Sequence, residues 1–228
     1  MKRLQAILTG SVLLAAAIAA SKPLSAQSLA DYDYTNLSFR GIGLDWGYIW
    51  PTKVESTPMY SLRLDLGYLG PGIRIAPVVS YWNSKVKQSE LDRFADQLNR
   101  LDALQERGVV IDASELGEID WSDLSLMVDA HLVWSTPVSL LTYIGVGAGV
   151  HALNGRGDAI AGTFVEDLLD STTAAGAVMA GVEGELFTAL RIYGEARYTL
   201  MSDVRYPALR VGASFMVPRT ATQSGDVR

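Results

Sequence analysis

The chain contains no cysteine, which removes disulfides and thiolate metal sites. With no cysteine near the expected export cleavage point, there is also no site for a lipid anchor there. Histidine is almost as scarce, with only His131 and His151. Lysine is restricted to Lys2, Lys22, Lys53, Lys85 and Lys87, and none of these falls in a segment that reads as a strand. Beyond Ala20 there is no hydrophobic run near the roughly 20 residues that a membrane-spanning helix needs. A formal net charge of -6 over 228 residues argues against nucleic acid as a partner. No constellation calls for a cofactor or a metal.

What is present begins with Lys2 and Arg3, then an apolar run from Ala6 to Ala20, then Pro23 among small residues up to Ala26. This is the form of a secretory signal peptide over 1–26, with cleavage after Ala26. A short polar lead (27–35) follows. The expected barrel spans 36–217, and a polar tail occupies 218–228.

The segment Tyr60 to Tyr68 sets the pattern for the rest. Leu62, Leu64 and Leu66 lie between two tyrosines on one face, while Ser61, Arg63, Asp65 and Gly67 share the other. Successive side chains of a strand point to opposite sides, so one face is apolar with aromatic ends and the other is charged. Seven further segments repeat this. Ile42, Leu44, Trp46, Tyr48 and Trp50 oppose Asp45 and three glycines; Ile73 to Tyr81 opposes Arg74. Leu124 to Trp134 opposes Asp123, Asp129 and His131, and Ile144 to Val150 opposes glycines and His151. Val178 to Leu186 opposes Glu183 and Glu185, Ile192 to Tyr198 opposes Arg191, Glu195 and Arg197, and Leu209 to Val217 opposes Arg210. The predicted fold is all-β: an eight-stranded antiparallel transmembrane β-barrel. Short connectors such as Gly70-Pro71-Gly72 alternate with longer ones, as in outer-membrane barrels.

One connector changes period. Leu91, Phe94, Leu98 and Leu101 are spaced by three and four, which predicts an amphipathic helix inside an outer loop spanning 84–120. Ser89 with Asp92 resembles a capping box, and Gly108 fits a C-terminal stop.

Alternation alone leaves open a soluble, lipocalin-like barrel with its leucines inside. The missing strand lysines and the distribution of aromatics favour the membrane. With the first strand running outward, Tyr48, Trp50, Tyr60, Tyr81 and Tyr198 form an outer belt, and Tyr68, Trp134 and Phe215 an inner one.

Taken together, the signal peptide, the strand Tyr60 to Tyr68, the glycine-rich Tyr143 to Val150 and the closing Leu209 to Phe215 resemble the small OmpA/OmpX-type outer-membrane barrels. The resemblance implies location in the outer membrane of a Gram-negative-type bacterium, with outer-membrane lipid as a partner. It also implies that the closing strand near Phe215 is read by the barrel-assembly machinery.

The predicted lumen charges are Asp45, Arg63, Asp65, Arg74, Asp123, Asp129, Glu183, Glu185, Arg191, Glu195, Arg197 and Arg210. Arg74 is expected to pair with Asp65, and Arg191 with Glu185, across neighbouring strands. Eight strands leave an interior that side chains can fill, so these residues form a structural network; a narrow or gated pore is the alternative. The two histidines are expected near opposite ends, about 25 Å apart at ~3.3 Å per residue, and without a carboxylate partner. That disfavours a lipid-modifying enzyme, and no catalytic residue is assigned. Asp112, Glu115, Glu118, Asp120 and Asp123 form an acidic stretch without the spacing of a calcium loop. The 84–120 loop packs on its own rim or presents a surface for a partner. The functional expectation is a structural or surface-interacting barrel.

Overall fold

The computed structural model describes residues 37–100, 117–137, 140–157, 162, 169–202 and 204–217. The expected signal peptide and lead, the polar tail, the helix stop at Gly108, and Asp112 and Glu115 lie outside these residues.

The described chain is one antiparallel sheet that closes on itself. Its strands are β1 (Gly41–Ile49), β2 (Thr57–Asp65), β3 (Tyr68–Gly70), β4 (Ile73–Lys85), β5 (Asp120–Ser135), β6 (Leu140–Arg156), β7 (Ser171–Phe187), β8 (Leu190–Met201) and β9 (Arg205–Met216). β2 and β3 are two parts of one barrel strand, because both pair with β4; the barrel therefore has eight strands. Each strand pairs with the next in sequence, and β9 returns to β1, with Asp45 opposite Gly212 and Gly47 opposite Arg210. Closure leaves no open edge along the body of the barrel, because each of the eight barrel strands is hydrogen-bonded to a neighbour on either side, as lipid demands.

The break between β2 and β3 reverses one expectation. Gly67 adopts φ 75°, a left-handed conformation open to glycine, and its N–H donates to Oδ1 of Asp65 at 2.7 Å. The kink shifts the alternation by one residue. Leu66 still faces out, but Tyr68 turns inward and is only 4% exposed, with the Arg40 guanidinium 5.0 Å from its ring centroid. Tyr68 is therefore not part of the inner aromatic belt. Exposed apolar side chains at that end include Phe39, Leu69, Phe187 and Phe215.

Alternation elsewhere follows the sequence. Leu44 (66%) and Val211 (60%) are exposed, whereas Asp129 is fully buried. This inside-out distribution overturns the soluble alternative, in which leucines fill the barrel and charges meet water. β4 runs further than expected and ends on Lys85, so one lysine does belong to a strand; its ammonium lies 2.6 Å from Glu118.

Helix α1 (Gln88–Asn99) rises from the long connector. It starts two residues earlier than the capping-box reading allows. The Lys87 carbonyl accepts the N–H groups of Glu90 and Leu91, so Ser89 sits inside the first turn instead of capping it. Leu91 and Ala95 are buried, and Leu91 packs with Ile119, Val86, Phe94 and Leu169. The first turns of the helix thus pack on connector residues at the rim of their own barrel. Three connectors are tied together there: Lys87 Nζ donates to the carbonyls of Pro51 (2.7 Å) and Thr52 (3.0 Å), and Trp121 Nε1 to that of Leu169 (3.1 Å).

Candidate functional site

The lumen is the place where the charged side chains of this barrel converge. Period-two alternation points the odd-numbered residues of β1, β2 and β8 inward, and matching residues of the other strands meet them across a narrow interior.

Near the short-turn half these residues form one charged network. Arg210 Nε and Nη2 donate to Oδ1 (2.8 Å) and Oδ2 (3.0 Å) of Asp45, and the Tyr193 hydroxyl donates to Oδ2 of Asp45 at 2.7 Å. Glu195 lies at the centre. It accepts from Arg63 Nη2, from the Tyr143 hydroxyl (2.8 Å) and from Arg210 Nη1 (3.1 Å). Arg197 clasps Asp129 with both terminal nitrogens, at 2.6 and 3.0 Å. Arg74 and Arg191 donate to the two oxygens of Glu183, at 2.7 and 3.1 Å, and Arg74 also lies 3.8 Å from Asp65.

One predicted pairing changes and the other gains a second partner. Arg191 bonds to Glu183, and Glu185 is exposed at the rim: the register shift between Glu185 and Phe187 ends the regular strand at that point. Arg74 reaches Asp65, yet its shorter bond is to Glu183, on the far side of the lumen.

Aromatic faces complete the packing. The Arg63 guanidinium lies 4.4 Å from the Tyr193 ring centroid, and His131 stacks on Tyr143 at 4.6 Å. Arg74 Nε and Nη2 approach His131 Nδ1 at 3.4 and 3.3 Å.

Towards the helix end the inward face becomes apolar, which strand alternation alone did not anticipate. Ile49, Met59, Trp82, Trp121, Leu153, Met201 and Tyr206 are buried there, and Trp82 meets Tyr206 edge-on at 6.2 Å. The signal was available: at Met59-Tyr60 and Tyr81-Trp82 both faces are apolar, so the inward face had stopped being polar.

Within this apolar layer sits one polar pair. Oδ2 of Asp123 lies 2.7 Å from Nδ1 of His151, with both side chains 1% exposed. His151 therefore has a carboxylate partner, contrary to expectation. The register places His151 opposite Ser125, six residues along β5 from His131, or about 20 Å at ~3.3 Å per residue. Asp123 is thereby separated from its acidic neighbours: Glu118 bonds Lys85 and Asp120 is exposed. No group of acidic, histidine or cysteine side chains with metal-binding geometry occurs among the described residues.

Of the predicted belt residues, Trp50, Tyr60, Tyr81, Tyr198 and Phe215 are exposed on the outer wall, while Tyr48 and Trp134 are half-buried. Tyr48 packs edge-on against Trp50 at 5.3 Å.

No protein-family model matches the chain, and no curated protein matches it. Among solved structures, Neisserial surface protein A is similar with a TM-score of 0.48 and 15% identity, over 78% of this chain and 97% of that one. Ail, the attachment invasion locus protein of Yersinia pestis, gives 0.47 and 11%, over 80% of this chain and 100% of that one. The N-terminal barrel domain of Pseudomonas aeruginosa OprF gives 0.42 and 12%, over 78% and 97%. Eight strands closed end to end, with leucines and valines outside and paired charges inside, give this chain the architecture of the small OmpA/OmpX-like outer-membrane barrels.

Proposed function

We propose that this protein is a lumen-filled outer-membrane barrel with a structural or surface-interacting role, and that it does not conduct. The observation that carries this reading is the double closure of the interior. In the charged half, the cavity between Gly43, Arg63, Asp65, Arg74 and Glu183 has a volume of about 10 Å³, the space of one water. In the other half, Trp82, Trp121, Met59 and Tyr206 fill the bore. A pore would need an aqueous path past both layers, and the arginines and carboxylates that could line one are already bonded to each other.

Purified protein in planar bilayers should give no stable conductance, and reproducible single-channel steps would overturn the proposal. Membrane residence is tested separately: protein extracted from outer-membrane vesicles should migrate differently on gels before and after boiling. On the same reading, residues 1–26 direct export, which N-terminal sequencing of the mature protein checks. β9, with Phe215 facing outward, is the segment the barrel-assembly machinery would engage.

Surface interaction is favoured by one feature of α1. Its apolar stripe is used at Leu91 and Ala95, but Asp92, Arg93, Asp96 and Gln97 are exposed on a loop that Leu91 and Lys87 tie to neighbouring connectors. Deleting 89–107 should leave the barrel folded and abolish any cell or ligand binding that the intact protein displays.

A further inference from the structure

The outer wall of β4, β5 and β6 carries a graded groove near the helix end. Register fixes its rows. Tyr81, Leu124 and Ala152 lie side by side; one step further come Asn83, Ser122 and Asn154; the next row is Lys85, Asp120 and Arg156. All belong to the outward-facing set, and together they bound a cleft of about 300 Å³, with Lys85 at its margin. Moving along the strands away from the barrel's middle, the wall passes from apolar to amide and hydroxyl groups, then to two cations flanking a carboxylate. An amphipathic molecule standing beside the barrel presents the same order.

The cation at the top of the cleft is held in place by a relay. Asp170 accepts from Asn154 Nδ2 (3.1 and 3.2 Å to its two oxygens) and from the Gly155 N–H (2.9 Å). The anchored Asn154 offers its own Oδ1 to Arg156 Nε at 3.0 Å. Arg156 is thus gripped at Nε, while its two terminal nitrogens make no bond to any described residue. A guanidinium oriented this way presents a two-pronged donor suited to a phosphate. Lys85 differs, because Glu118 already occupies its ammonium. Asp120, between the two cations, accepts hydrogen bonds and would repel a bare anion. The cleft therefore suits a headgroup that carries both a phosphate and donor hydroxyls.

We propose that this groove binds a phosphorylated sugar lipid of the outer leaflet, with acyl chains along Leu124 and Ala152, sugar hydroxyls at Asn83, Ser122 and Asp120, and phosphate on Arg156. The inference rests on the membrane reading above and adds a defined ligand class to it. Its geometry depends on the wall chemistry of three strands and is independent of whether the lumen conducts.

The test places the full mature protein in phosphatidylcholine nanodiscs doped with a diphosphorylated disaccharide lipid or with the same lipid after phosphatase treatment. Lipid retained on the protein is read by native mass spectrometry. The protein should retain the phosphorylated form about tenfold over the dephosphorylated one, a ratio equal to about 1.4 kcal/mol. Arg156→Gln should abolish the preference and Arg156→Lys should weaken it, whereas Lys85→Gln should change it little. Millimolar inorganic phosphate should not compete, because the lipid's sugar and chains supply the remaining contacts. Equal retention of both lipids, retention unchanged in Arg156→Gln, or displacement by inorganic phosphate would each overturn the inference. Gel mobility of boiled and unboiled samples separates the two proposals: a barrel that inserts normally yet shows no preference removes this site alone, and failure to insert removes the membrane reading as well.

Discussion

Arg210 grips Asp45 through two hydrogen bonds of 2.8 and 3.0 Å, joining the last strand of the barrel to the first across 165 residues of sequence. Neither side chain is exposed. The pair lies at the seam where the sheet closes, so it couples closure to charge neutralisation. Breaking a buried pair by removing one partner strands the other charge, at a cost of about 3–5 kcal/mol. Arg210→Met and Asp45→Ala should each lower barrel stability by about that amount, and the double substitution by less than the sum of the two. Urea unfolding in lipid vesicles measures all three.

Glu195 faces more positive charge than any other lumen carboxylate, with Arg63, Arg210 and Arg197 within 4 Å. Glu195→Gln keeps the shape and one acceptor but leaves three guanidinium groups crowded together. Stability should fall by at least about 3 kcal/mol. Asp129→Asn, which weakens the hold on Arg197 but leaves Glu195 3.9 Å from it, should cost less than Glu195→Gln in the same unfolding assay.

Gly67 is required by conformation. With φ at 75°, any L-residue pays roughly 1–2 kcal/mol for the left-handed backbone, and a Cβ there would also run into the Arg40 side chain. Gly67→Val should destabilise the barrel by more than about 2 kcal/mol in urea unfolding. Gly70→Ala, at a site where an added Cβ meets nothing, should be close to neutral.

His151 satisfies one oxygen of a carboxylate sealed among apolar side chains, and Asp123 Oδ1 has no other partner. His151→Ala should cost about 1–3 kcal/mol or more for the group left unpaired. Asp123→Asn should cost less, because it removes the buried charge itself. Neither side chain opens onto the outer wall, so neither substitution should alter the lipid composition of membranes that contain the protein, which lipid mass spectrometry checks.

Leu91 anchors α1 to the mouth through Ile119, Val86 and Leu169. Leu91→Ala should loosen the cap by about 2–3 kcal/mol, raising protease cleavage within 88–119 while heat-shifted gel mobility of the barrel stays unchanged.

Much of the architecture is legible in the chain's periodicity, because a strand exposed to lipid on one side and to charge on the other can be written in only one way. Leu62-Arg63-Leu64-Asp65 and Ala196-Arg197-Tyr198 declare which side chains share a face, and that local rule survives folding. The helix is legible for the same reason, since its period differs from that of its flanks. Its first residue is not, because Lys87 rather than Ser89 supplies the first accepting carbonyl.

The amino-acid order alone determined the strand number, the faces other than that of Tyr68, and the membership of the inward charged set apart from Glu185. Partners were decided only by the closed barrel. Arg74 reaches Glu183 and Arg63 reaches Glu195 across the bore, between residues 109 and 132 positions apart, and no neighbour-strand rule anticipates a contact through the middle of a cylinder. One glycine with a left-handed backbone likewise sent Tyr68 inward, because alternation holds only while the strand remains regular. Short-range periodicity fixes which way a side chain points; curvature and closure fix what it meets there.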